Sequence, residues 1–219
     1  MQLYDLSQTI HADMQRFSPD APAPTIRAWQ THEQAAASGH YEDCTCEITE
    51  INILTSIGTY LDSPYHYYPD GTTIDQLKLE QLVLPGIVID CTSVTQRQPI
   101  TPDMLGNAHI KDKAVLFHTG WSRYWGQSEY LQFPYLTGET AQELVHQGAK
   151  LAGVDFLVID DTTNPRRPVH STLLKHDVLI VENLTNLASL PAAEFTFHAV
   201  PTKIAGAAAF PIRAYAIET

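Results

Sequence analysis

Asp62 and His66 stand four residues apart in SIGTYLDSPYH (Ser56–His66), a segment otherwise rich in glycine, proline and aromatic residues. Further along, Asp160-Asp161 and Glu182 each follow an apolar, β-like run, and His170 sits in PVHSTLL (Pro168–Leu174). Neutral imidazole together with carboxylates is a ligand set for zinc, manganese or iron. The same groups without an ion can move protons, the carboxylate orienting the imidazole that takes or gives one. Each group also has a plain structural reading. Asp62 can cap a turn, His66 can be a hydrogen-bonded core residue, His170 can open a helix, and Asp160-Asp161 can cap a loop. A shared chemical role requires a fold that brings them together.

In an extended chain alternate side chains share a face. Ser56, Gly58, Tyr60, Asp62, Pro64 and His66 have the same parity, so an extended backbone would line Tyr60, Asp62 and His66 along one surface. Gly58 would let a chain or ligand approach the backbone, and Pro64 would stiffen the path between Asp62 and His66. Around this segment the sequence predicts strands over Leu3–Ile10, Thr25–Gln30, Cys44–Thr55, Gly86–Asp90, Ala114–His118 and Leu151–Ile159. Three more are predicted over Val178–Val181, Phe195–Val200 and Ala214–Ile217. Ser18–Pro24 reads as a loop, His32–His40 as a short helix or arm, and Pro102–Leu105 as a helix start. Helices are predicted over Thr137–Gly148, capped by Thr137, and Val169–Lys175. Strands outnumber helices in mixed order. That predicts one α/β domain with a mixed sheet over residues 1–219.

The bulk numbers fit such a domain. The chain has 219 residues, 44% hydrophobic and 17% charged, with no repeat and no low-complexity tail. Its 13 Lys+Arg against 25 Asp+Glu give a formal net charge of −12, which repels phosphate backbones and argues against a nucleic-acid partner. No apolar run reaches membrane-spanning length, and MQLYDLSQTI lacks the basic-then-apolar order of a signal peptide. Cys44, Cys46 and Cys91 form no framework spacing, so they read as reduced thiols of a cytoplasmic protein.

Taken in order, these pieces resemble the cyclase-like metal hydrolase family, which includes bacterial kynurenine formamidases and isatin hydrolases. The family segment has the form HxGTHxDxPxH, and this chain reads SxGTYxDxPxH over Ser56–His66. Asp5-Leu6-Ser7, Thr119-Gly120-Trp121, Gly153-Val154-Asp155, His170–Leu174, Val181–Leu184, Asn186-Leu187 and Pro201–Ala216 extend the similarity over nearly the whole chain. The resemblance implies a swivelling β/β/α cyclase-like fold with a mixed, partly barrel-like sheet. It also implies a homodimer or homotetramer in which an arm, about residues 11–45, can reach a neighbouring subunit.

By position, the resemblance implies that Asp62, His170 and Glu182 hold one divalent ion (Mn, Zn or Fe) and that His66 is the catalytic base. Ser56 and Tyr60 stand where the family has two further histidine ligands. Tyr60 becomes a candidate donor to developing negative charge. Trp121, Tyr65, Ser56 and His118 are candidate substrate contacts, although His118 also reads as a core histidine. Arg166-Arg167 reads as a solvated loop pair, with attraction of a substrate carboxylate as the functional alternative. The expected activity is hydrolysis of a small-molecule amide, cyclic amide or lactone. Two alternatives stay open: a cyclase, dehydratase or isomerase without metal, using Tyr60, Asp62 and His66, and a non-catalytic binder on the same scaffold.

Overall fold

The computed structural model describes residues 1–218 apart from Pro19, Ala192 and Ala193. Its strands are β1 (Gln2–Asp5), β2 (Thr25–Gln30), β3 (Ile48–Asn52), β4 (Tyr60–Asp62), β5 (Val83–Asp90), β6 (Pro99–Ile100) and β7 (Ala114–His118). They continue as β8 (Tyr135–Leu136), β9 (Leu151–Val154), β10 (Leu179–Glu182), β11 (Phe195–His198), β12 (Ala209–Pro211) and β13 (Tyr215–Glu218). Three α-helices accompany them: α1 (His32–Ala37), α2 (Gly138–His146) and α3 (Pro168–Lys175). None of these helices is long and apolar enough to cross a membrane.

Nine strands form one mixed, partly curled sheet in the order β1-β13-β11-β5-β7-β9-β10-β4-β12. The inner pairs β5–β7, β7–β9 and β9–β10 are parallel, and the flanking pairs are antiparallel. This is the mixed α/β architecture expected from the sequence. The parallel strands are apolar on both faces, as strands covered on both sides must be. One face, with Val115, Phe117, Ala152 and Ile180, packs against α2 and α3 through Leu144, Val169 and Leu173. The other, with Leu61, Leu116, Leu151 and Val181, meets Phe197 and the segments bearing Leu6 and Leu187.

Several boundaries moved from their sequence expectations. Ala114–His118 and Thr25–Gln30 form strands at the expected residues, and Thr137 caps α2 by accepting the Thr140 N–H at 3.2 Å. The Leu151–Ile159 run stops as a strand at Val154, because Asp155 turns its carboxylate back onto the N–H groups of Thr119 and Gly120. The loop expected over Ser18–Pro24 includes Pro19, which lies outside the described residues, as does Thr219 at the end of the expected domain. β2 and β3 pair only with each other, with Ile26 opposite Ile51 and Arg27 opposite Glu50. This ribbon leaves Ile26, Trp29, Ile48 and Ile51 exposed.

Candidate functional site

The site is built on the end of β10 and its antiparallel neighbour β4. In their register Tyr60 lies opposite Glu182 and Asp62 opposite Ile180. Directly paired residues share a face, and so do residues two apart along a strand. Tyr60, Asp62 and Glu182 therefore emerge together on the helix-covered face, and all three are buried. The register brings the Tyr60 hydroxyl onto Glu182 Oε2, to which it donates a short hydrogen bond. Glu182 Oε1 accepts the Ile159 N–H at 2.7 Å.

The β4 edge is pinned from behind. Asn183, at φ 59°, donates from Nδ2 to the Gly58 carbonyl, and its own carbonyl accepts from the Thr59 hydroxyl at 2.6 Å. Gly58 adopts φ 63°, a conformation that favours glycine. The groups that approach it are Ile10 and Met14 of the same chain.

His66 does not reach the site by strand alternation, as an extended backbone would have had it. The strand ends at Asp62, and Pro64–His66 form a 3₁₀ turn, closed by the His66 N–H on the Ser63 carbonyl at 2.9 Å. Pro64 at the first turn position favours that change, because its fixed φ suits a helical start. The turn carries the imidazole back over the carboxylate, with Nε2 3.7 Å from Asp62 Oδ1. Gly71 makes the close packing of this turn possible: a β-carbon there would lie 2.5 Å from the Pro64 carbonyl carbon and 2.7 Å from Tyr65 N. Both are backbone atoms and cannot swing aside. Gly71→Ala is expected to destabilise the fold by about 1–3 kcal/mol. A lower Tm in thermal unfolding checks it, and an unchanged Tm would show that the turn relaxes freely.

His170 comes from the first turn of α3. Pro168 fills the first helical position, and the N-cap residue Arg167 offers no side-chain acceptor. Asp160 supplies one instead: its carboxylate accepts the N–H groups of Val169 (2.8 Å) and His170 (2.9 Å) and contacts His170 Nδ1 at 2.6 Å. With Nδ1 held as the donor, Nε2 faces Asp62 Oδ2 at 3.8 Å and Glu182 Oε1 at 3.5 Å. Tyr67 stacks on the imidazole, with ring centroids 4.8 Å apart. Burial alone would lower the His170 pKa, but the Asp160 hydrogen bond and the Asp62 and Glu182 charges outweigh it and raise it to about 10. Burial raises Glu182 to about 7, with the Asp62 charge adding to it and His170 opposing.

Asp62 is the exception in this network. It is fully buried, and neither carboxylate oxygen has a hydrogen-bond partner among the described residues. A buried carboxylate without donors is costly unless a cation compensates it. Ligand atoms of Asp62, His66 and His170 lie within 4.8 Å of one another, and that donor set suits zinc, manganese or iron. The residues present thus fit a divalent ion. Glu182 lies beside this group, Oε1 3.5 Å from His170 Nε2, with both oxygens already hydrogen-bonded.

A cavity of about 210 Å³ opens over these groups, lined by Phe17, Ser56, Tyr60, His66, Tyr67, Val158, Arg167, His170 and Glu182. Of the residues expected from the sequence, the fold gathers Ser56, Tyr60, Asp62, His66, His170 and Glu182. It does not bring Trp121, Tyr65 or His118 to the cavity lining. Trp121 packs in the core, its indole N–H donating to the Tyr130 carbonyl, because the turn after β7 folds inward. Tyr65 points to solvent from the 3₁₀ turn, and His118 ends β7 beside Asp90 of β5. Tyr67, Phe17 and Val158 were not singled out by sequence, and Asp160 was noted there with Asp161 as a carboxylate after an apolar run that can cap a loop, not as the partner of His170. Only Asp160 left a signal: an acid ending an apolar run shortly before a proline-started helix that lacks a capping side chain.

Comparison with known proteins gives a consistent picture. A family model described as "Putative cyclase" matches residues 4–161. The kynurenine formamidase of Maricaulis maris (strain MCS10) is 26% identical over 212 residues, 97% of this chain and 96% of that protein. The kynurenine formamidase of Bordetella avium (strain 197N) is 27% identical over 220 residues, with 97% and 96% covered. Among solved structures, isatin hydrolase A from Labrenzia aggregata has a TM-score of 0.86 at 23% identity, covering 100% of this chain and 94% of that one, a likeness of fold. A potential metal-dependent hydrolase with cyclase activity has a TM-score of 0.81 at 25% identity, with 100% and 98% covered.

Proposed function

The chain belongs to the cyclase family, and from that premise we propose that it is a metal-dependent hydrolase of a small amide, an aryl formamide or a cyclic amide. The observation that carries this reading is the buried, unpartnered carboxylate of Asp62 between two imidazoles. Asp62, His66 and His170 would hold the ion. On this reading His66 is a ligand where the sequence expectation made it the base, and Glu182, its oxygens taken by Tyr60 and Ile159, acts beside the ion where the expectation made it a ligand. A divalent ion bound there would polarise the scissile carbonyl and make water acidic enough to attack at neutral pH.

The remaining work falls to this chain's own groups. Asp160 fixes the His170 tautomer so that Nε2 presents its lone pair. Glu182 lines the cavity and accepts the proton of the attacking water, and its bond to Tyr60 keeps the carboxylate turned toward the site. Tyr67 and Phe17 wall the cavity, whose size below the usual ~300–1,000 Å³ range suits a one-ring substrate. The metal-free alternative needs Tyr60 to work with Asp62 and His66, whereas its hydroxyl is given to Glu182.

Elemental analysis of the purified chain, untagged and gently dialysed, is expected to find about one manganese, zinc or iron per chain. Hydrolysis of formanilide should disappear on chelation and return when the ion is restored. Turnover that survives complete metal removal would overturn this reading in favour of the metal-free one.

We further propose that the protein is a homo-oligomer formed through the β2–β3 ribbon. A two-stranded ribbon is at best marginally stable alone, and this one exposes Ile26, Trp29, Ile48 and Ile51. Trp29→Asp with Ile51→Asp is expected to yield monomers in light scattering, against dimers or tetramers for the parent. A parent chain that is already monomeric at micromolar concentration would refute this.

A further inference from the structure

The two arginines of Arg166-Arg167 part company in the fold. Arg166 is exposed, while Arg167 is half-buried and lines the cavity above His170 and Glu182. Among the described residues Arg167 forms no ion pair, and its side chain makes one hydrogen bond, from Nη1 to the Asp161 carbonyl at 3.1 Å. The other guanidinium N–H groups are left without a protein acceptor. Its backbone sits at φ 45°, ψ 60°, a left-handed conformation that costs a non-glycine residue about 1–2 kcal/mol. The site holds it there through the Arg167 N–H on the Asn164 carbonyl (3.2 Å) and the Ser171 N–H on the Arg167 carbonyl (3.0 Å).

The charge setting gives this arginine a purpose. Glu182 lines the cavity, and Asp62 and Asp160 lie buried against His170 next to it, in a chain of net charge −12. An anionic substrate would be repelled unless a fixed positive charge met it at the entrance. A guanidinium matches a carboxylate with two parallel charge-assisted hydrogen bonds, a stronger and more directional pairing than a neutral acceptor gives. Its charge is felt inside the site, where it opposes the rise in the Tyr67 pKa.

We infer that the substrate carries a carboxylate, bound by Arg167 at the lip of the cavity while the amide lies over Asp62, His66 and His170. This rests on the amide-hydrolase reading above and narrows its substrate class to small aryl amides bearing an acid.

The test compares formanilide with 2-, 3- and 4-formamidobenzoate, which share the scissile bond and differ by a carboxylate. Preference is read from kcat/KM, or from calorimetric Kd if the compounds are bound without turnover. The parent should favour at least one acid over formanilide by about 10- to 100-fold. Arg167→Met should lose that preference with its metal content unchanged, and Arg167→Lys should keep part of it. High salt should erode it in the parent. Equal treatment of acid and neutral compounds by the parent, binding of none of them, or a preference that Arg167→Met retains would overturn the inference. Absence of turnover alongside an Arg167-dependent Kd preference would instead strike the hydrolase reading and leave the anion site standing.

Discussion

Asp62→Asn is expected to abolish divalent-metal binding and, with it, the gain in thermal stability that the ion confers. Both effects come from one feature, a fully buried carboxylate with no hydrogen-bond donor on either oxygen. Its nearest polar neighbours are His66 Nε2 at 3.7 Å and His170 Nε2 at 3.8 Å, too far for hydrogen bonds. In the free protein the raised pKa of His170 leaves it charged beside Asp62, so the neutral isostere removes one partner of a buried pair and brings no stabilisation of its own. For a chain of this size each kcal/mol moves Tm by about 2–4 °C. With the ion present the parent gains stability by mass action and the variant gains none. Thermal unfolding with and without added manganese or zinc, beside elemental analysis, reads both. A variant that still binds about one ion per chain would remove Asp62 from the site.

The same measurement separates the roles of His66 and Glu182. If the ion sits where the ligand atoms of Asp62, His66 and His170 converge, His66→Ala loses it. Glu182→Gln then keeps it while turnover falls by about 10²- to 10⁴-fold, the usual range for a lost general base. The opposite result, metal lost with Glu182→Gln and kept with His66→Ala, would restore the ligand set implied by the family resemblance.

Asp160→Ala is expected to be the most destabilising single change near the site, at about 3–5 kcal/mol, and to weaken metal binding without touching an ion ligand. One carboxylate satisfies three donors there: the first-turn amides of Val169 and His170, and His170 Nδ1. Truncation leaves two buried N–H groups unpaired at a helix start whose N-cap residue supplies no acceptor. It also frees the His170 ring to turn or to change tautomer, which in comparable sites costs about 10- to 100-fold in metal affinity. Calorimetric unfolding and a metal titration of Asp160→Ala check the two losses. Asp160→Asn should recover part of the stability, because its amide oxygen can still accept one amide N–H, and little of the affinity. A variant with parent-like Tm would show that water replaces the carboxylate and that the helix needs no cap from the protein.

The amino-acid sequence by itself determined the elements with strong local signals. Ala114–His118 and Thr25–Gln30 become strands at the expected residues, and Thr137 caps its helix, because alternation, β-branched side chains and capping hydroxyls act within a few residues. It also offered the residue types that could do chemistry, Asp62, His66, His170 and Glu182, each with a plain structural reading beside it, and only the family resemblance implied that they meet. The tertiary structure alone decided who meets whom. A 3₁₀ turn and not strand alternation brings His66 over Asp62. The β4–β10 register gives the Tyr60 hydroxyl to Glu182, across 122 residues of chain, and so occupies one of its carboxylate oxygens. Asp160 serves His170 because the loop after it returns the start of α3 onto its carboxylate, and the same loop leaves Arg167 lining the cavity and Arg166 exposed. These pairings depend on long-range packing and backbone register, which no short window of sequence encodes, whereas periodicity and capping are written residue by residue.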